Sequence, residues 1–184
     1  MEYLLPHEGH LKNFQTEQLA INWCTLLLGW IGPGHFESQL SISDLQEFAK
    51  AWLMMTDENN DLVTDLILSD GQDFLSVKEI LEALCKKNKS DFVLEVRKWR
   101  YILLKECFEK IVRSNDYLYG LLELTDFWLM FDFPDDSPHV VQGRENTLSP
   151  TDYYTEDNFK KLINRHKQWL QKELEAIYKL QIVE

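Results

Sequence analysis

Apolar residues recur along the chain at spacings of three and four, and short polar or glycine- and proline-containing stretches interrupt them. This rhythm predicts helices. Over 15–30, Leu19, Trp23, Leu26, Leu27 and Trp30 fall on one helical face, and Gly29 and Gly32-Pro33-Gly34 end it. A helix over 41–55 follows, with Ser41 or Ser43 as N-cap and Leu45, Phe48, Ala49, Trp52 and Leu53 as its stripe. A short helix is predicted over 62–68, stopping at Asp70-Gly71. Ser76-Val77-Lys78-Glu79 has the form of a capping box and opens a helix to about Lys87. Ser90 is expected to cap a long helix carrying Phe92, Val96, Trp99, Leu103, Cys107 and Ile111 on one face.

The stretch 115–131 reads as another helix. Its apolar positions wrap most of the way round, which predicts a central place in the core. Pro134, Pro138, Gly143 and Pro150 then mark an irregular loop around 132–154, in which the β-branched residues at His139-Val140-Val141 suit a short extended piece. A last helix over about 155–180 carries Phe159, Leu162, Ile163, His166, Trp169, Leu170, Leu174 and Ile177. The expectation is an all-α protein of about seven helices, a single domain over 1–184.

Composition agrees with this. The 184 residues are 45% hydrophobic and 12% aromatic, enough to build a core, and 7 Gly and 5 Pro are few for a fold of many short strands. The three cysteines, Cys24, Cys85 and Cys107, are odd in number and widely spaced, so they read as buried free thiols in a reducing, cytoplasmic setting. The N-terminus lacks the basic stretch of a signal peptide, and the apolar run 26–31 is too short to span a membrane.

Charge narrows the function. The net charge is −12, which argues against nucleic acid and against anionic membrane surfaces as partners. It is unevenly placed. From 37 to 82 eleven acids face two bases, and from 115 to 157 ten acids face one, a net of −9 in each block; between them, 86–113 carries +5. Two explanations stay open: the basic helix neutralises the acidic blocks internally, or the acidic blocks gather to receive a basic protein. In the second case Asp57, Asp61, Asp65, Asp70 and Asp73 are partner-binding candidates from the first block. Asp132, Asp135, Asp136 and Asp152 are those from the second. Phe74, Phe133, Tyr153 and Tyr154 beside them are candidate aromatic anchors.

Chemistry finds less support. Asp57-x-Asn59-x-Asp61 matches the first ligands of a calcium loop, but Leu62 stands where glycine is needed and Leu68 where the bidentate Glu belongs. His7-x-x-His10 has no partner pair for zinc. There is no G-x-S-x-G, no H-E-x-x-H and no phosphate loop. His139 and His166 lie far apart in sequence, and His166 on its apolar face reads as a satisfied core histidine. Asp135-Asp136 could serve acid–base work only if buried. The expectation is a non-enzymatic protein with no metal and no cofactor.

Three stretches carry a resemblance: Trp23-Cys24-Thr25-Leu26-Leu27-Leu28-Gly29-Trp30, then Lys98 to Glu106 (KWRYILLKE), then Phe127-Trp128-Leu129-Met130-Phe131-Asp132-Phe133-Pro134. Together they resemble a bacterial domain-of-unknown-function family of small, acidic, helical proteins. Such proteins are similar in size and charge to the immunity proteins that accompany bacterial toxins. The resemblance implies that this protein is an inhibitor and that its partner is a basic protein, a cognate toxin domain. A helical adaptor or regulatory subunit, and a divergent small-ligand-binding protein, are the alternatives; oligomeric state is left open. Arg100 has a structural reading as well, tying an acidic loop to the long helix.

Overall fold

The computed structural model describes residues 9–56, 60–88, 90–144 and 146–181. Among them the chain is all-α, with no strand: α1 (His10–Thr16), α2 (Trp23–Ile31), α3 (Ile42–Met55), α4 (Asp61–Leu68), α5 (Phe74–Asn88), α6 (Phe92–Ser114), α7 (Tyr117–Leu129), α8 (Pro150–Tyr153) and α9 (Glu156–Gln181). The two helices beyond the expected seven are the short α1 and α8. The chain divides into two compact units, Met1–Trp99 with Leu180–Glu184, and Arg100–Lys179.

The first unit is built around α2, whose residues from Trp23 to Trp30 are all buried. The predicted helix over 15–30 begins only at Trp23. Gln18 has φ +52, which breaks the helical path, and Asn22 caps the new start. Asn22 Oδ1 accepts from the N–H groups of Cys24 and Thr25, and the Thr25 hydroxyl accepts from Asn22 N–H in return. This satisfies donors that a helix start leaves bare. Close packing explains Gly29: a Cβ there would lie 2.5 Å from Leu40 and 2.6 Å from Trp99.

Ser41 caps α3 through a reciprocal pair with Asp44, one of the two caps foreseen. Gln46 on α3 donates to the carbonyls of Ile67 and Ser69, holding the end of α4. The Ser76 capping box is not the start of α5. That helix begins at Phe74, and Asp73 Oδ1 takes the N–H groups of Leu75 and Ser76. Asp91 likewise accepts from Val93 N–H at the start of α6.

The cysteine expectation is corrected. Cys24 and Cys85 form a disulfide between α2 and α5, and Cys107 is the free, buried thiol. The reason is packing: α2 and α5 lie side by side, so cysteines 61 positions apart meet with Cα atoms 4.7 Å apart. Wide sequence spacing does not prevent bonding; only geometry does.

The second unit contains residues 100–114 of α6, then α7, the loop, α8 and most of α9. Leu121, Tyr153 and Leu162 form a core cluster, with Tyr117, Val140 and Phe159 against it. Asp116 caps α7, accepting from Leu118 and Tyr119, and Asn115 at φ +51 turns the chain into it. The loop is irregular over its described residues as far as Ser149, with no strand at 139–141, but α8 forms within the end of the stretch expected to be irregular. Asn146 organises part of it, donating to Val141 and Arg144 carbonyls and accepting from Gly143 and Leu148.

The expectation that α7 is wrapped in core is corrected too. Leu121, Leu124 and Trp128 are buried, but Leu118, Leu122 and Leu129 are exposed. An all-round apolar helix says nothing of how many neighbours cover it.

Candidate functional site

Of the acidic candidates, Asp61, Asp65, Asp70 and Asp73 are exposed in the first unit, and Asp132, Asp135, Asp136 and Asp152 in the second. Asp57, and with it the calcium-like spacing and His7, lies outside the described residues. Several of these carboxylates have local duties. Asp70 accepts from Gln72 N–H, Asp73 caps α5, and Asp152 receives the Ser149 hydroxyl at the start of α8. Such caps use one face of a carboxylate and contribute typically about 1 kcal/mol each. They leave the negative charge at the surface.

The aromatic candidates separate. Tyr154 and Phe74 are exposed, Phe133 is half-buried under the Arg144 guanidinium at 4.6 Å, and Tyr153 is 2% exposed. Tyr153 is therefore a core residue rather than a surface anchor: its ring fills the cluster with Leu121 and Leu162. Phe74 stacks on Trp30, whose indole N–H donates to the Phe74 carbonyl.

Arg100 does tie an acidic loop to the long helix. Its guanidinium makes a two-pronged pair with Asp136, 3.0 and 2.6 Å, and reaches Glu173 at 3.5 Å. It also lies over the rings of Trp128 and Trp169. The planar fork and flat face of arginine suit this site, and lysine would reproduce neither. Elsewhere on α6, Lys98 and Arg113 pair with Glu95 and Glu109 of the same helix. The basic stretch is thus drawn inward at Arg100 and partly spent on its own helix.

A second polar group was not foreseen as a constellation. His139 and His166 stand with ring centroids 5.5 Å apart. His166 Nδ1–H donates to the Leu162 carbonyl, since a carbonyl only accepts, and the bare Nε2 then accepts from Trp128 Nε1–H. Thr125 donates its hydroxyl to the Leu121 carbonyl, so His139 Nε2 carries the proton donated to Thr125 Oγ1 at 2.9 Å. That leaves His139 Nδ1 buried without a hydrogen bond. Burial lowers His139 to about 3, helped by its neighbour His166. Burial also lowers His166 to about 4, against the Leu162 hydrogen bond, which raises it. Both rings are neutral at physiological pH, and both nitrogens of His166 are committed. His166 is a satisfied core histidine, as its apolar face suggested. The only sequence sign of the pair was two histidines on apolar stretches.

Cys107 has the same inert character: burial, then the nearby Glu123 carboxylate, push its thiol up to about 12. Among the described residues no three His, Cys, Asp or Glu side chains converge to hold a metal ion. An open groove of about 250 Å³ runs along α9, lined by Phe159, Lys160, Ile163, Asn164 and Lys167. It takes in neither histidine and none of the acidic candidates. No helix is long and apolar enough to cross a membrane among the described residues.

The architecture and sites define an acidic all-α protein whose described acidic candidates lie at the surface, while Glu95 and Glu173 are buried in ion pairs. The chain belongs to the family described as an uncharacterized protein conserved in bacteria (DUF2247), which matches residues 11–174. No curated protein and no solved structure matches it.

Proposed function

We propose that this protein is a non-catalytic binding module for a basic protein and, more specifically, an immunity protein that neutralises a basic bacterial toxin domain. The observation that carries the proposal is the surface placement of Asp61, Asp65, Asp70 and Asp73 in one unit and of Asp132, Asp135, Asp136 and Asp152 in the other. Each set belongs to a sequence block of net −9. Opposed potentials speed association and discriminate against acidic partners, and inhibitor pairs built this way reach very tight affinities. The family's occurrence in bacteria is compatible with a toxin–immunity pairing.

Capture of the cognate partner on the immobilised full chain, at low and high salt, tests this. Charge reversal at Asp65 with Asp70, or at Asp135 with Asp152, is expected to lower the association rate by tenfold or more. If the captured partner is acidic, or its binding ignores both salt and the reversals, the proposal fails.

Action in the cytoplasm is part of the proposal and sets a condition on the cysteines. There Cys24 and Cys85 would be held reduced, as a closely spaced dithiol. Alkylation of the protein taken directly from cells, followed by mass measurement, checks it. Two blocked thiols at these positions are expected; an intact disulfide would place the protein in an oxidising compartment.

A further inference from the structure

Helix α7 turns a line of apolar side chains to solvent. Leu118, Leu122 and Leu129 are 42%, 52% and 54% exposed. At steps of four and seven residues they fall on one seam along the helix. Single exposed leucines are ordinary. Three in register, on a helix whose opposite side is anchored by Leu121, Leu124 and Trp128, offer the spacing onto which a second helix lays its own stripe.

Charge identifies the occupant. Asp126 is exposed beside the seam, and Glu123 follows on the same edge. Tyr119, on that edge as well, hydrogen-bonds Glu123. No Lys or Arg occurs anywhere from 115 to 143. A second copy of this chain would bring Asp126 and Glu123 against their own counterparts, so self-pairing is opposed. A helix with lysines or arginines beside an apolar stripe meets both features at once.

We infer that α7 is the docking face for a basic amphipathic helix of a partner protein. The inference rests on the reading of that partner as basic. It adds the surface that would take the desolvated contact, where interface energy concentrates. The exposed acids of the loops then act as the charged surroundings that steer the partner.

The test titrates the full chain with a synthetic peptide of about five helical turns, leucine on one face and lysine on the rest. The same peptide with glutamate for lysine is the control. The lysine peptide is expected to bind and to slow hydrogen exchange along α7. Leu122→Ser with Leu129→Ser should weaken it about tenfold or more, and Glu123→Lys with Asp126→Lys should do so independently. Met54→Ser with Leu68→Ser, at exposed apolar positions of the first unit, should leave it unchanged. Failure of the lysine peptide to bind, or equal binding of the glutamate peptide, overturns the inference. So does a concentration-dependent dimer that Leu122→Ser with Leu129→Ser dissolves. If the captured natural partner is basic but indifferent to the α7 variants, the docking face is wrong while the basic-partner reading stands.

Discussion

Each unit buries an ion pair, Glu95–Lys98 in the first and Arg100–Glu173 in the second, but the second adds a pair of neutral imidazoles. In the first, Glu95 and Lys98 are both fully buried, and every contact is charge-assisted. Glu95 receives Lys98 Nζ at 2.7 Å, the Thr25 hydroxyl at 2.6 Å and the Asn22 amide at 2.9 Å, while Lys98 also donates to the Ala20 carbonyl. One carboxylate thus pins α6 to the cap of α2. In the second unit, two imidazoles are held neutral by burial, and His139 Nδ1 and Arg100 Nε have no partner. A closed ion pair takes its charges into the core together with their partners. A neutral histidine pair is opposed by acid from the outset. The lesson is that burial alone does not predict robustness; the charge state that burial imposes does.

The largest effect should come from opening the closed pair. Glu95→Ala leaves the Lys98 ammonium buried without its carboxylate and is expected to cost about 3–5 kcal/mol. Glu95→Leu with Lys98→Met should recover much of that loss, because it removes both charges. Denaturant unfolding of the three proteins measures the difference.

Acid should act on the other unit. Each imidazole is neutral in the fold but takes up a proton in the unfolded chain as pH falls below 6.5. The unfolded state therefore binds more protons between pH 6.5 and about 4 for His166, or about 3 for His139. Stability is fully present above 6.5 and declines as pH drops through that window. At pH 5 the loss amounts to roughly 2 kcal/mol per imidazole, about 4 for the pair at most. Residue-level hydrogen exchange at pH 7 and 5 should show protection falling first around α7 and α9. Replacement of both histidines should flatten the pH dependence; a slope that persists unchanged assigns it to other groups.

Replacing Cys24 and Cys85 by serine should cost about 2–4 kcal/mol relative to the disulfide form, by releasing the loop between them in the unfolded chain. The loss should appear in the thermal midpoint of the oxidised protein and vanish when both proteins are compared under reducing conditions. The smallest effect belongs to Asp136→Asn. Its carboxyl is half exposed, so loss of its charge against Arg100 should cost about 1 kcal/mol or less. A chemical-shift change confined to the Trp128 and Trp169 indoles would mark it.

The helical stripes were legible because burial on one side repeats every three to four residues. Leu45, Phe48 and Ala49 on α3, and Leu162, His166 and Ile177 on α9, are buried as their spacing implied. The Ser41 cap was equally legible, being local chemistry. What failed depended on contacts distant in sequence. Glu95 and Lys98 stand three apart on α6 like any surface pair, and only the approach of Thr25 and Asn22 makes them interior. Tyr153 follows Asp152 in a proline-marked loop, yet the core captures it. The described acidic candidates lie at the surface, since few carboxylates find enough donors to be buried.

The Cys24–Cys85 bond closes a ring in the covalent chain that contains all of α3 and α4. A single backbone cut within that ring releases nothing: the two pieces stay joined through sulfur and migrate together on a non-reducing gel. Reduction separates them. A nicked molecule would therefore run as one species on such a gel until thiols were added, and the order in which cleavage and reduction occur would decide whether a fragment ever leaves.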